Sequence, residues 1–200
     1  MVKDLENGSN SVRKSRKEKA LRFVKERPAY MRDVVRSING VVRKASRMSL
    51  KPCVRLNGSQ DIPWERIRIT AAWAITYPEL LPHVGKSLPE AFPEIQFVDY
   101  AKDHTRFDRV LPANYHLTFS RSETNESKAL ELLARGVNVA VVFAGKSLPQ
   151  TWNGFQVVNG DEHDLRHLDP RGTPGFVIGL SPKGQKAKKD QSGFVVRDWQ

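Results

Sequence analysis

Acidic and histidine side chains cluster between residues 161 and 169, and their spacing could support acid–base or metal chemistry. The cluster consists of Asp161, His163, Asp164, His167 and Asp169. If this segment is helical, His163 and His167 share one face, where a nearby carboxylate could complete a metal site or orient an imidazole as a base. The alternative is a loop whose carboxylates close turns or pair with neighbouring arginines, because Gly160 and Pro170 flank the segment. We predict Asp161 and His163, together with Asp61, as catalytic candidates and assign no metal ligands.

A second candidate site is the turn from Ser120 to Asn125, which follows an apolar segment and opens into a helix. Ser122, with Thr124 or Asn125, could cap that helix, whose first backbone N–H groups can bind an anion. With Arg121 beside it, the turn could hold a phosphate or a carboxylate. An ordinary helix cap with a solvent-facing Arg121 is the alternative interpretation.

Polar residues also follow the other predicted strands, where ligands gather in α/β folds. The turn from Asn57 to Asp61 carries more charge than a plain turn requires, which favours a site. The residues predicted to bind a ligand or anion are Arg55, Asn57, Asp99, Lys102, Ser120, Arg121, Ser122 and Lys183. His116 and Cys53 are predicted to be core residues. The sequence lacks the common glycine-rich phosphate loops, and it leaves any cofactor undetermined.

Short apolar segments separated by turns and helices must position these residues. Strands are predicted at Cys53–Asn57, Ile95–Tyr100, Tyr115–Ser120, Val137–Ala144, Gln156–Val158, Phe176–Leu180 and Phe194–Arg197, and helices near Trp64–Thr76, Leu88–Phe92 and Glu123–Ala134. The run Val139–Phe143 is apolar without alternation, which indicates burial on both faces and parallel pairing. We therefore predict an α/β domain over residues 51–200 with a mostly parallel sheet of about six strands, open or a partial barrel. The polar segment Pro182–Asp190 is predicted to be a surface loop.

The first fifty residues predict two basic helices, about Val12–Arg27 and Pro28–Arg47, with Pro28 in the first turn of the second helix. The whole chain has a net charge of +11. Residues 1–51 contain fifteen Lys and Arg and five Asp and Glu, a net charge of +10, so the excess lies almost entirely in this arm, residues 1–50 and the adjoining Lys51. Such segregation is typical of a surface that binds a polyanion. A solvated helix face that aids solubility is the alternative. The residues predicted to contact nucleic acid are Arg13, Lys14, Lys17, Arg32, Arg36 and Arg43.

Composition limits the cell compartment and the chemistry. A single cysteine, Cys53, allows no intramolecular disulfide and no cysteine cage for zinc or iron–sulfur clusters within this chain. No apolar run approaches the roughly 20 residues of a membrane span, and the N-terminus lacks the pattern of a signal peptide. We expect a cytoplasmic protein with no membrane contact.

Five runs of residues resemble a known family. They are Arg55–Glu65, Phe97–Lys102, Asn114–Glu123, Asn159–Arg166 and Gly179–Gly184. Together they are similar to phage, prophage and plasmid proteins of the "gene product eighty-eight" type, over about Ser11 to Val196. The resemblance implies a mobile-element origin and carries over no activity. Members of that family have a cysteine cluster upstream of the stretch similar to Ser11–Val35, whereas this sequence starts after that point and keeps only Cys53. Either the protein is a member without the cluster or its true start lies upstream, and in both cases the resemblance assigns no metal chemistry to these residues.

Two functional hypotheses follow, and a third stays open. The first is an accessory protein of a phage or plasmid that acts on or binds nucleic acid through the basic arm, with Phe23 and Tyr30 as stacking partners. The second is an enzyme, derived from a metal-cluster-dependent α/β barrel, with a polar pocket at the carboxyl ends of the strands. A module that binds a host protein is compatible with the same sequence.

Overall fold

The computed structural model describes residues 11–58 and 60–199, and the side chains of these residues except 11–13 and 186. The chain divides into two compact units, of which the first ends at Ile95 and the second begins at Gln96. The predicted boundary between residues 50 and 51 lies inside the first unit. The reason is a ring contact: Trp64 packs against Phe23 of the basic arm, with ring centroids 5.5 Å apart.

Helices dominate the first unit. They are α1 (Ser11–Lys25), α2 (Arg27–Arg47), α3 (Ala71–Thr76) and α4 (Leu88–Ala91), with 3-10 turns at Trp64–Arg66 and Pro78–His83 and a short strand β1 (Cys53–Val54). The two basic helices and the place of Pro28 in the first turn of α2 are confirmed. The strand predicted over Cys53–Asn57 is shorter, because Asn57 is the centre of a loop described below.

α1 and α2 are packed very differently. α2 buries Met31, Val35 and Ile38, whose spacing places them on one helical face. Among the α1 side chains described, Phe23 alone is buried. An ion pair between Arg22 and Asp33 also joins the two helices. α1 is therefore held by few contacts and presents most of its surface to solvent.

The second unit is a sheet with connecting helices. Its elements are β2 (Gln96–Ala101), β3 (Tyr115–Ser120), α5 (Glu126–Ala134), β4 (Val139–Phe143), β5 (Thr151–Trp152), β6 (Phe155–Asn159), β7 (Val177–Leu180), α6 (Gly184–Lys188) and β8 (Val195–Val196), with 3-10 turns at His104–Asp108 and Arg166–Leu168.

The sheet of the second unit has the strand order β2-β3-β4-β7-β6-β5, and β8 pairs with the end of β4. All of these pairs are parallel except the hairpin of β5 and β6. The sheet is not closed. The predicted α/β class, with a mostly parallel sheet and basic N-terminal helices, is confirmed.

One face of this sheet forms an apolar core with α5. Phe119, Val139 and Val141 of the strands pack with Leu132 and Leu133 of the helix, and all five are buried. Burial of β4 on both faces explains the unbroken apolar run from which parallel pairing was predicted.

Three local expectations were wrong. Strand β5 was missed, and it joins β6 through a two-residue turn in which Asn153 and Gly154 both have positive φ, 48° and 82°. The tail predicted as a loop contains helix α6, because residues such as Lys and Ala have high helix propensity. The helix predicted from Glu123 begins at Glu126, because residues 122–125 form a turn.

Candidate functional site

The carboxyl ends of β2, β3, β4, β7 and β6 form one edge of the sheet. Lys102 follows β2, Arg121 follows β3 and Lys183 follows β7, while Asp161 follows β6. Neighbouring strands are about 4.8 Å apart, and β4 and β7 separate β3 from β6, so those two strands are about 14 Å apart. The predicted residues therefore share an edge but form two separate polar groups along it.

The first polar group is centred on Arg121, which is 8% exposed. Its guanidinium donates to a carboxylate oxygen of Glu126 at 3.1 Å and to the carbonyl oxygens of Gly193 and Phe194. Lys102 places its ammonium 5.6 Å from the ring centroid of Phe194. Arg121 thus anchors the segment that leads into β8, and an anion at this turn would have to displace these bonds.

The turn after Arg121 is closed by Asn125. The Ser122 backbone N–H donates to the Asn125 side-chain oxygen at 2.6 Å, and the Asn125 amide donates to the Ser120 carbonyl oxygen at 3.1 Å. Asn125 occupies the N-cap position of α5, but its side chain caps none of the helical N–H groups. Asn125 therefore does not cap α5 as predicted, and its side chain bonds to the backbone of Ser120 and Ser122 instead.

The second polar group is centred on Asp161. Its carboxylate accepts from the Ser181 backbone N–H at 2.7 Å and lies 3.2 Å from the Lys183 ammonium. Burial raises the pKa of Asp161, but the bonds from Ser181 and Lys183 outweigh it, and the net pKa is lowered. A carboxylate of lowered pKa that joins the ends of β6 and β7 is a weak base.

The segment after Asp161 is not the helix that would align His163 with His167. Its regular part is a single 3-10 turn, Arg166–Leu168, which packs against β2 and β3. His163 is exposed, and its Nδ1 lies 3.4 Å from a guanidinium nitrogen of Arg166. The two imidazoles are therefore separated by an irregular backbone, and the loop alternative describes this segment.

This 3-10 turn brings together a group that we call the histidine cluster, which consists of His116, Arg166, His167, Asp169 and Arg171. Arg166 is fully buried, donates to the Gly160 carbonyl oxygen at 3.0 Å and lies 3.4 Å from the Asp169 carboxylate. A side chain at position 160 would begin 2.8 Å from the Arg166 guanidinium, so only glycine leaves room for it. Arg171 lies 3.2 Å from His116 Nδ1 and donates to the His167 carbonyl oxygen.

Burial and neighbouring cations set the charge of the histidine cluster. Burial, followed by the charges of Arg171, His167 and Arg166, lowers the pKa of His116 to about 4. The pKa of His167 is lowered by burial and Arg171, whereas burial raises the pKa of Asp169. Among the described residues, Arg166 Nε and Nη1, His167 Nδ1 and Asp169 Oδ2 are buried without a hydrogen-bond partner. The cluster therefore combines imidazoles of lowered pKa with a buried guanidinium.

Asp99 lies within β2 and not at its end. The Tyr115 hydroxyl donates to its carboxylate at 2.8 Å, and Arg106 donates to the same hydroxyl oxygen at 3.0 Å. All three residues are buried. Burial, followed by the charge of Asp99, raises the pKa of Tyr115 well above its ordinary value. Asp99 thus contributes to an internal polar network of the second unit.

Arg55, Asn57 and Asp61 belong to the first unit and surround one loop. Asn57 is 2% exposed, and its side-chain oxygen accepts from the Ile62 backbone N–H and from the Trp64 indole N–H. Its amide donates to the Ile62 carbonyl oxygen at 3.0 Å. Arg55 and Asp61 are exposed beside this loop. The hydrogen bonds of Asn57 therefore stabilise this loop. The predicted ligand pocket that would join these residues to the polar residues at the strand ends stays a prediction.

Exposed cations cover α1 and the end of α2. We call this the basic surface, and define it as Lys14, Arg16, Lys17, Lys19, Lys25, Arg43, Lys44 and Arg47. None of them has an acidic group within ion-pair distance in the part of the chain that the structure describes.

The remaining predicted contacts of the arm differ from the basic surface. Arg32 pairs with Asp33 and stacks on Tyr77, and Arg36 pairs with Glu79. The side chain of Arg13 lies outside the described residues. Three of the predicted contacts remain exposed and have no ion pair with a described acidic group: Lys14, Lys17 and Arg43.

With this geometry established, the chain was compared with known proteins. Residues 3–198 match the family described as Gene product 88. The chain belongs to the Gene product 88 family. No curated protein and no solved structure matches it. The resemblance inferred from the five sequence runs is confirmed, and the function of this Gene product 88 family member has to be argued from its own residues.

Two wider expectations concern membranes and metals. Over the described ranges of this Gene product 88 chain, no helix has both the length and the apolar character to cross a bilayer. Within the same ranges, no group of three or more His, Cys, Asp or Glu side chains could hold a metal ion.

Sequence reasoning missed two central members of the histidine cluster in this Gene product 88 chain. His116 was expected to be an ordinary core residue, and Arg166 was considered only as a partner for loop carboxylates. Alternation along β3 could have identified His116, because it shares a strand face with Thr118, and their side chains are 3.5 Å apart. No sequence signal places Arg166 or Arg171 beside that strand, because the intervening loop has no regular period.

Proposed function

We propose that this chain is a cytoplasmic accessory protein of a phage or plasmid that binds nucleic acid through the basic surface. The observation that carries the proposal is that these eight cations are exposed and lack acidic partners among the described residues. Cations of this kind can exchange their counterions for phosphates, and release of those counterions drives binding.

The placement of these charges also favours a polyanionic partner. The first turn of α1 has no acidic residue, so Lys14 in that turn opposes the helix dipole at its positive end. Arg43 and Arg47 are four residues apart on α2, a spacing at which like charges repel. Phosphates bound along these helices would relieve both effects.

Salt dependence of binding tests the proposal. Affinity for labelled duplex and single-stranded DNA is measured by fluorescence anisotropy at increasing NaCl concentration. The triple variant Lys14→Gln/Lys17→Gln/Arg43→Gln should reduce the slope of log K against log salt by about 3, because each lost phosphate contact removes about one unit.

The matched control removes three other positive charges. The triple variant Arg36→Gln/Lys128→Gln/Lys183→Gln changes side chains that pair with carboxylates. It should leave the salt slope almost unchanged. Equal slopes for the two triple variants, or no binding at micromolar protein in low salt, would refute nucleic-acid binding by this surface. Recovery of a host protein that survives nuclease treatment, without any DNA affinity, would favour a protein-binding module instead.

A second candidate function is acid–base chemistry on an anionic substrate at the histidine cluster. The buried guanidinium of Arg166, with two nitrogens that lack hydrogen-bond partners among the described residues, supports it. His116 supports it as well, because its pKa of about 4 keeps the imidazole neutral near pH 7, and a bound anion would raise that pKa toward the range in which an imidazole is an effective base.

Titration of His116 by NMR, with inorganic phosphate as the probe, tests this second candidate. A phosphate at the cluster should raise the pKa of His116, because its negative charge offsets the nearby arginines. Arg171→Gln should weaken that response. A His116 titration that is indifferent to millimolar phosphate would refute the anion site.

A further inference from the structure

A groove in the first unit lies between α1, α2 and the segment that follows β1. Its volume is about 420 Å³, within the range of sites that bind small molecules. Its lining includes Lys19, Arg22, Tyr30, Asp33, Val41 and Arg55. Apolar side chains from α2 and from residues 54–56 supply most of this lining.

Cations stand beside this apolar lining. Lys19 is exposed and belongs to the basic surface, and Arg55 is exposed with its Nε directed to the Asn57 carbonyl oxygen. The third cation, Arg22, pairs with Asp33, the acidic residue of the lining. The rim of the groove therefore continues the positive charge of α1 to the opposite wall.

The walls also include an aromatic ring. Tyr30 lines the groove and is held by neighbours, since its ring stacks on Trp64 with a centroid separation of 6.4 Å and an interplanar angle of 14°. Phe23 supports the same ring edge-on at 5.6 Å. A ring fixed in this way can serve as a stacking platform without losing further conformational freedom.

An apolar lining between two cations suits one class of ligand. A free phosphate would gain nothing from the valine and leucine side chains, and an apolar peptide would bring no negative charge to the cationic rim. A nucleobase is flat and largely apolar on its faces, and in a strand the backbone places a phosphate on each side of its nucleotide. In a duplex its faces are stacked, so only an unpaired base is available for insertion.

We infer that this groove accepts an unpaired base of single-stranded nucleic acid, with the flanking phosphates bound by Lys19 and Arg55. The inference rests on the proposed function and extends it from polyanions in general to single strands. It predicts that this protein binds a single strand more tightly than a duplex of equal length, and that the difference comes from bases as well as phosphates.

A matched pair of variants tests the groove. Val41 lines it and is 40% exposed, whereas Val24 lies on α1 outside it and is 70% exposed. Val41→Glu and Val24→Glu change net charge equally. Val24→Glu should weaken single strands and duplex to the same small extent, while Val41→Glu should weaken single strands by a further factor of about 10, in line with base stacking. Far-ultraviolet circular dichroism of both variants checks that the helices are intact.

An oligonucleotide of abasic sites, with the same length and charge, separates base insertion from phosphate binding. The native protein should bind it about 10-fold less tightly than the normal single strand, and Val41→Glu should bind both alike. If the two variants lose affinity equally, or if abasic and normal strands bind equally, the groove inference is wrong while nucleic-acid binding stands. If no oligonucleotide binds the native protein, the proposed function fails and the groove inference fails with it.

Discussion

Basic side chains occupy opposite environments in the two units. In the first unit, Lys14, Lys17 and Arg43 are exposed and have no acidic partner among the described residues. In the second unit, Arg121 and Arg166 are buried and bound to carbonyl oxygens and carboxylates of their own chain. Basic residues are therefore exposed at the surface of one unit, whereas in the other unit they stabilise the fold.

This difference shows why net charge alone is a poor guide to function. A buried guanidinium that donates to a backbone carbonyl, as Arg121 does to Phe194, contributes to the formal charge but cannot meet a phosphate without giving up that bond. An exposed lysine without an acidic partner can bind a phosphate directly. Burial and existing hydrogen bonds thus decide which cations a polyanion can reach.

The largest expected effect comes from removing a buried cation of the second unit. Arg166→Met should lower the free energy of unfolding by about 3 to 5 kcal/mol, because it leaves the Asp169 carboxylate buried without its partner. Urea denaturation measures this change.

The same substitution in the first unit provides the contrast. Arg43→Met removes an exposed cation and should change stability by less than about 0.5 kcal/mol. Similar losses for both variants would contradict the division between structural and available cations.

A smaller effect is expected from the pH dependence of His116. Its pKa in the folded protein is about 4, below the ordinary value of 6.5, so protonation favours the unfolded chain. Stability should be unaffected by this group above pH 6.5 and should fall by about 3 kcal/mol as the pH decreases from 6.5 to 4. Thermal denaturation of the native protein and of His116→Gln across this range gives the difference.

The difference between the native protein and His116→Gln gives the contribution of this imidazole to stability. The lowered pKa of His83 and His167 acts in the same direction, so both proteins should lose some stability on acidification. His116→Gln should lose less of it than the native protein does. A His116→Gln curve parallel to the native one would show that burial and the neighbouring cations do not lower the pKa of this imidazole.

The smallest of the three effects concerns the buried polar anchor of the first unit. Asn57→Ala should cost about 1 to 3 kcal/mol, because the Trp64 indole N–H and the Ile62 backbone N–H lose their acceptor. Urea denaturation measures the loss. Asn39→Ala, at a half-buried position of α2, is the control and should stay within about 0.5 kcal/mol. A neutral Asn57→Ala would mean that the loop depends on aromatic packing alone.

Much of the fold could be predicted because the signals are local and periodic. The limits of β3 were predicted to the residue, and the apolar run of β4 indicated parallel pairing. The hairpin of β5 and β6 was missed although Asn153-Gly154 is a strong signal for a two-residue turn. Its strand β5 has only two residues, too few to show alternation.

The candidate sites were harder to predict because their members are distant in the chain. Strand ends indicated Asp161 and Arg121 individually, but the strand order that separates them by β4 and β7 is not a local property. The contact between His116 and Arg171 depends on where an irregular loop crosses the sheet. The basic surface was the most accessible feature, since charge clustering can be counted directly.

Among the described side chains of α1 one aromatic is buried, and this sparse packing has an evolutionary consequence. Most positions of this helix experience no steric selection, so lysine and arginine could exchange places through neutral drift as long as the overall positive charge persists. The arginines inside the sheet unit have fixed neighbours and no such freedom. Relatives should therefore align poorly over α1 while retaining its cationic character, and align position by position around Arg166.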